Sequence, residues 1–326
     1  MNSEVLRVGF VPEHFAAPLL KLAESEWGQS HLQLVEQPSG TGQMLSSLDS
    51  SSSGGQKIDI AVALTEALIA GIAKGRDDYR LVGSYVRSSL NWAIITGTAK
   101  GADQYQTVAD LRQSKVGVSR LGSGSHLMAS VLALSQGWTD AEGKVEKQEF
   151  VVNNDFKTLR EGVNQKPGEW FTTKPFQDSG EVRFVDSIPT PWPSWTIAAS
   201  KATVLDTRKA LLDEFLHKLH ASIQAFANPE TRAKKSLHAF IEDVHHYHPD
   251  DIKEWASQVR WAGESTPDPD DSKPTDPKAN ETNAYTMSKG MLTHTLSVLE
   301  DAGVLQRPTH DWDISRFVDA SVTRLI

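Results

Sequence analysis

The feature that most constrains this chain is the alternation of strand-like and helix-like runs between residues 5 and 74. Val5 to Val11 alternates and reads as a buried strand closed by Pro12. Phe15 to Trp27 repeats with helical period and turns Leu19, Leu20, Leu22 and Ala23 inward. Leu32 to Glu36 reads as the next strand, and Gly40-Thr41-Gly42 opens a short helix to Leu48. Ile58 to Val62 is a strand and Thr65 to Lys74 a helix. A β-α-β-α-β order predicts an α/β domain on a mainly parallel sheet.

A second series follows. Leu81–Val86, Trp92–Thr96, Lys115–Ser119, Gln148–Val152 and Val182–Val185 read as strands, with helices at Val108–Arg112 and Phe156–Val163. The segments "SLNWAIITG" (89–97) and "PSWTIAAS" (193–200) echo each other, each placing Trp-x-Ile after a polar residue. Two similar strands bracketing an inserted unit suggest two crossings between lobes; two short apolar strands also coincide by chance. The expected fold is therefore a two-lobed α/β protein. Lobe I is 1–96 plus 193–326 and lobe II is 97–192, each with a mainly parallel sheet flanked by helices, and two strands form the hinge. The chain beyond residue 200 is helical, with Leu212, Phe215, Leu219, Ile223 and Phe226 on one face and further helices at 230–246, 250–259 and 285–302. Residues 50–57 and the proline-rich acidic stretch 264–282 read as surface loops.

Composition narrows the function. A net charge of -9 argues against general nucleic-acid binding, which needs a basic face. No apolar run reaches the length of a membrane span. With no cysteine, disulfides, thiolate catalysis, Cys-ligated zinc and iron–sulfur clusters are excluded. Met1-Asn2-Ser3-Glu4 carries no basic region followed by an apolar core, so a cytoplasmic location is expected, although a mature exported protein given a new Met reads the same way.

The clearest candidate site is Gly122-Ser123-Gly124-Ser125-His126, where a strand turns into a helix. A helix N-terminus leaves unpaired N–H groups and partial positive charge, the glycines admit a ligand to the backbone, and the serines add hydroxyl donors. A carboxylate, sulfonate or phosphate suits such a turn. The competing reading is that Ser123 or Ser125 simply caps the helix. The P-loop fails because Ser123 stands where that motif needs Lys, and neither a Rossmann fingerprint nor a nucleophile elbow is present. His126 is a candidate base for Ser123, a neutral hydrogen-bond donor, or an exposed first-turn residue.

Other candidates follow strand ends, where open α/β sheets bind ligands. They are Glu13 and His14 after the first strand, Thr41 at the second helix, Thr65 and Glu66 after the third strand, Asn91 and Trp92 at the first crossing, and Trp192 near the second. Indole faces suit a flat or cationic ligand; for Trp192 and Trp195 hinge packing is the alternative. His245, His246 and His248 read as a solvated helix end, and His217 and His220 lack an acidic third ligand, so no metal is expected.

Taken together, "VGFVPEHFAAPL", "GTGQM", "IDIAVALTEALIAG", "SLNWAIITG", "VGVSRLGSGSHLMA", "FKTLREGVN", "EWFTTKPF" and "TPWPSWTIAAS" resemble the type II periplasmic solute-binding fold over about residues 1–260. The branch it resembles is that of cytosolic fungal proteins that carry this fold without a transporter, related to sulfonate, nitrate and taurine binding proteins and to fungal thiamine-pyrimidine synthases. The resemblance implies two hinged lobes with a ligand in the cleft between them. By motif position it implies contacts from Glu13, His14, Thr41, Thr65, Glu66 and Ser123 to Ser125. One departure is "EGVNQKPGEWFTTKPF" (161–176), which lacks an apolar strand that relatives carry and so puts the second lobe's sheet in doubt.

The leading expectation is a protein that binds a small polar or anionic molecule, with no catalytic residue, no cofactor and no evident transporter partner. An enzyme of pyrimidine or thiamine metabolism on the same fold is the rival. The resembling synthases use a cysteine-rich iron motif with a histidine and a lysine; the absence of cysteine and of a matching Lys-x-x-x-His counts against that chemistry. A cytosolic sensor or interaction module, using 264–282, is the third reading.

Overall fold

The computed structural model describes residues 5–49, 56–98, 101–154, 156–165, 174–232, 235–245, 248–264 and 282–326. In chain order the elements are β1 (Leu6–Phe10), α1 (Ala17–Glu24), α2 (Glu26–His31), β2 (Leu32–Glu36), α3 (Thr41–Leu48), β3 (Ile60–Leu64), α4 (Thr65–Ala73), β4 (Tyr79–Val86) and β5 (Asn91–Gly97). Then come β6 (Lys115–Val118), α5 (Gly124–Ser135), β7 (Glu149–Val152), α6 (Phe156–Gln165), α7 (Lys174–Asp178), β8 (Val182–Pro189) and β9 (Trp195–Ser200). The last part holds α8 (Lys209–Ala227), α9 (Pro229–Arg232), α10 (Lys235–His245), α11 (Pro249–Gln258), β10 (Thr286–Met287), α12 (Lys289–Asp301) and β11 (Arg324–Leu325).

The chain forms two compact units: Met1–Ser89, Trp192–His294 and Asp311–Ile326 make unit 1, and Leu90–Pro191 with Thr295–His310 makes unit 2. The limits expected from sequence differ in keeping β5 with the first lobe. In the structure β5 pairs with β8 along its whole length, from Asn91↔Pro189 to Gly97↔Val182, and those hydrogen bonds hold it in unit 2.

Unit 1 is built on a sheet of order β2-β1-β3-β9-β4. β1 runs parallel to β2 and β3, whereas β9 runs antiparallel to β3 and β4. Central strand β3, Ile-Ala-Val-Ala-Leu, is buried at every position, as a strand covered on both faces must be. Register places Leu64 and Val86 both opposite Trp195. The carboxyl ends of β1, β2, β3 and β4 and the start of β9 therefore share one edge of the sheet.

The expected single helix over 15–27 is broken. A 3₁₀ turn at His14–Ala16 leads into α1, and Ser25 leaves helical geometry and caps α2, its Oγ accepting from Gly28 N at 3.0 Å. On α8 the expected face of Leu212, Phe215, Leu219, Ile223 and Phe226 is buried, together with Leu216, and Ser222 Oγ donates to Pro18 O on α1 at 2.8 Å.

In unit 2 the described strands form two pairs, β6–β7 parallel and β5–β8 antiparallel. Ile95, Val163 and Val182 make a small core with Ala93 and Phe176 against it. Residues 166–173, where the shortened segment raised doubt about this sheet, lie outside the described residues, as do 50–55 and 265–281 of the two expected loops.

Candidate functional site

Unit 1 gathers its candidates at the shared edge. Thr65 and Glu66 begin α4 and are both fully buried. Thr65 N donates to Ser194 O at 3.1 Å, and its hydroxyl shares a hydrogen bond of 2.7 Å with that of Thr196. Trp192, 2% accessible, donates its indole Nε1 to Glu66 Oε2 at 2.9 Å. Glu66 Oε1, equally buried, has no hydrogen-bond partner among the described residues. Burial pushes this carboxyl up to about 7, only partly offset by its own backbone N–H and the Trp192 indole.

Thr41 serves the scaffold: its Oγ1 accepts from Leu64 N at 3.1 Å and closes the end of β3. Glu13 and His14 are half-buried in the turn after β1. Burial raises the Glu13 carboxyl to about 7. It lowers the His14 imidazole to about 3, with His245 adding like-charge repulsion, so His14 is neutral near pH 7.

Sequence reasoning missed several partners at this edge. Phe15 packs against Trp195 with ring centroids 5.7 Å apart, and Trp255 of α11 meets His14 at 4.6 Å and Phe15 at 5.8 Å. Ser194 Oγ donates to Ser88 O at 2.8 Å, and Ser88 Oγ accepts from Arg260 N at 3.0 Å. This ladder ties the start of α4 to the residues after α11. Arg87 and Arg260 are both buried here, and Arg260 Nη1 donates to the carbonyls of Ser257 and Val259. The signal available in sequence was the density of tryptophans; which of them meet is set by chain reversal.

In unit 2 the Gly-Ser turn is closely self-bonded. Gly122 adopts φ +81°, which favours glycine, and its N–H donates to His126 Nδ1 at 3.0 Å. His126 Nδ1 is therefore an acceptor in this turn, and the ring meets Phe150 edge-on at 4.4 Å. Ser123 Oγ donates to Arg120 O at 2.7 Å and lies 2.9 Å from Ser125 Oγ. Ser125 Oγ also faces Ser119 N at 3.4 Å. Neither serine caps α5 in the usual N-cap fashion, because Ser123 makes no side-chain cap bond and its hydroxyl points back to the preceding turn. Gly124 stands at the first helical position, in the turn whose amides lack intrahelical acceptors. Asn91 is exposed at the head of β5, and Trp92 is buried beside it.

Among the described residues no group of three His, Cys, Asp or Glu side chains is arranged to hold a metal ion. His217 stacks on Tyr285 at 4.7 Å, with His220 edge-on to the same ring. His248 Nδ1 accepts from Asp250 N at 3.3 Å as the N-cap of α11, and His246 lies outside the described residues. No helix among the described residues is long and apolar enough to cross a membrane.

Residues 92–188 match the model of a family described as Ca3427-like periplasmic binding proteins. The structure resembles that of the Candida albicans CA3427 gene product, described as exhibiting the generic periplasmic binding protein fold. Identity is 28%, coverage 99% of this chain and 97% of that one, and the TM-score 0.77. It also resembles the alkanesulfonate-binding protein SsuA of Xanthomonas axonopodis pv. citri, solved with MOPS, at 14% identity, 99% coverage of both chains and TM-score 0.64. The nitrate-binding protein NrtA of Synechocystis PCC 6803 aligns at 15% identity over 80% of this chain and 74% of its own, with TM-score 0.57. No curated protein sequence matches the chain. The chain thus carries the periplasmic binding protein fold.

Proposed function

We propose that this protein binds a small polar molecule, and that Glu66 at the carboxyl edge of the unit 1 sheet is its principal contact. The observation that carries this reading is the unmet Oε1 of a fully buried carboxyl whose other oxygen is held by Trp192. A buried acceptor without a donor costs on the order of 1–3 kcal/mol or more, and such a group calls for a partner that the described residues do not supply. The position agrees with the rule that open α/β sheets bind ligands beyond their strand carboxyl ends. The likeness to proteins described as binding alkanesulfonate and nitrate supports ligand binding as the task of the fold.

The test is recovery of a ligand. Protein purified without denaturation and analysed by native mass spectrometry is expected to carry a small molecule that is lost from Glu66→Gln. A folded wild-type protein that carries nothing and shifts in melting temperature with no compound in a metabolite panel refutes the reading. Conversion of the recovered molecule to a product moves the protein to the enzyme class.

A further inference from the structure

The two ends of α5 offer opposite chemistry. The Gly-Ser turn stands at its first residues, and Ser135 closes it about 16 Å further on, at ~1.5 Å per residue. Beside that last turn, wholly within unit 2, lies a cavity of about 340 Å³. It shares no residue with the Gly-Ser turn or with the Glu66 edge. Ile94, Val108, Val131, Leu132 and Ile188 give it a buried apolar lining. Its polar lining comes from Ser135, Gln136, Asp186 and Ser187, all exposed except the half-buried Ser187.

Strand register explains why a carboxylate stands in this lining. Trp92↔Ile188 and Ile94↔Asp186 are directly opposed pairs of β5 and β8, and opposed residues share a face of the ladder. The next pair is Ile95↔Phe184, so Val185 is bulged out and the alternation of β8 restarts beyond it. Asp186 thus falls in line with Ile188 and beside Ile94, two residues of the apolar lining. Its Oδ1 accepts from Ser187 N at 2.8 Å, which fixes one oxygen of the carboxylate. The end of α5 adds charge of the same sign. Ser135 is its last residue and Gln136 its C-cap, where the helix dipole places partial negative charge. No lining residue is Lys, Arg or His.

A pocket of this volume suits a small molecule, and its lining selects the kind. An anion meets the Asp186 carboxylate and the negative end of α5 as like charges. A bare inorganic cation leaves the apolar lining uncovered. An ammonium group on a hydrocarbon body answers both parts: its N–H groups donate to Asp186 and its body covers Ile94, Leu132 and Ile188. We propose that this cavity is a second binding site, and that it takes a small protonated amine with an apolar body.

The experiment is an amide chemical-shift titration of the full chain with hexylamine, 1-hexanol and hexanoate at about pH 7, where the amine is a cation. The three probes share one body and differ in charge. Hexylamine is expected to shift the amides of Val131–Gln136 and Asp186–Ile188, and to bind at least about tenfold more tightly than hexanoate, with hexanol between them. Asp186→Asn keeps the shape and removes the charge, and is expected to weaken hexylamine about tenfold. Ser135→Trp, an exposed position that a large ring would fill, is expected to weaken all three probes. It carries the test if the spectrum of Asp186→Asn shows an unfolded chain. Hexanol or hexanoate binding as tightly as hexylamine overturns the proposal. So do hexylamine binding that is unchanged in the folded variants, shifts scattered over other acidic surface, and silence of all three probes.

Discussion

Trp192 Nε1 and Glu66 Oε2 stand 2.9 Å apart although 126 positions separate them in the chain. The pair joins the segment entering β9 to the first turn of α4, and it leaves the second oxygen of Glu66 without a partner among the described residues. The consequences of that pairing can be measured in the free protein as well as with ligand.

Stability should fall as pH rises past Glu66. Its folded pKa, about 7, is raised above the ordinary 4.5. The native state therefore holds more protons than the unfolded chain between these values, and stability is lost as pH climbs through that window. Glu66→Gln has no such proton to lose. It should match wild type near pH 4.5 and exceed it by up to roughly 3 kcal/mol above pH 7, in urea melts at both pH values. Curves that stay parallel across the window refute the assignment.

Asp59 locks the opposite edge of the same sheet. It is fully buried at the approach to β3 and accepts from Arg7 N at 2.9 Å, Nε at 3.0 Å and Nη2 at 2.9 Å, and from Arg208 Nη2 at 2.7 Å. The first and largest influence on its carboxyl is burial, but the Arg7 and Arg208 contacts win and hold its pKa below the usual range. Asp59→Ala leaves two guanidinium groups facing an empty site and should cost about 3–5 kcal/mol in chemical denaturation. A loss below ~1 kcal/mol would show that the network is solvated.

Gly97 is required by close packing. A Cβ there would lie 2.1 Å from Val163 O, where α6 crosses β5. Gly97→Ala should destabilise unit 2 by about 1–3 kcal/mol, the cost of overpacking. Hydrogen exchange should speed up in β5 and α6 and leave β1 and β3 protected.

The serine turn should prove structural. Ser123→Ala removes the bonds to Arg120 O and to Ser125 Oγ. A loss of about 1 kcal/mol in thermal unfolding is expected, as for a typical hydrogen bond. No measurable change would mean that these hydroxyls exchange freely with water.

The order of strands and helices and the buried face of α8 were legible in the sequence because each rests on local periodicity, although the third strand, read as Ile58 to Val62, runs over Ile60–Leu64. A strand of period two or a helix of period 3.6 writes its inward face into neighbouring residues. Glu13, His14, Thr65 and Glu66 could be named as strand-end residues on the same ground. Tertiary structure decided what those residues do. Thr41 turned out to close β3, and Ser123 to bond its own turn, because backbone groups at those ends had to be satisfied. Sequence placed Trp192 near a crossing without showing that it holds Glu66, and it did not show Phe15, Trp255 or Ser88 at the edge. These contacts join segments far apart in the chain, through a register in which Leu64 and Val86 both face Trp195. Pairing between distant strands is settled by the packing of the whole sheet, and no local pattern records it.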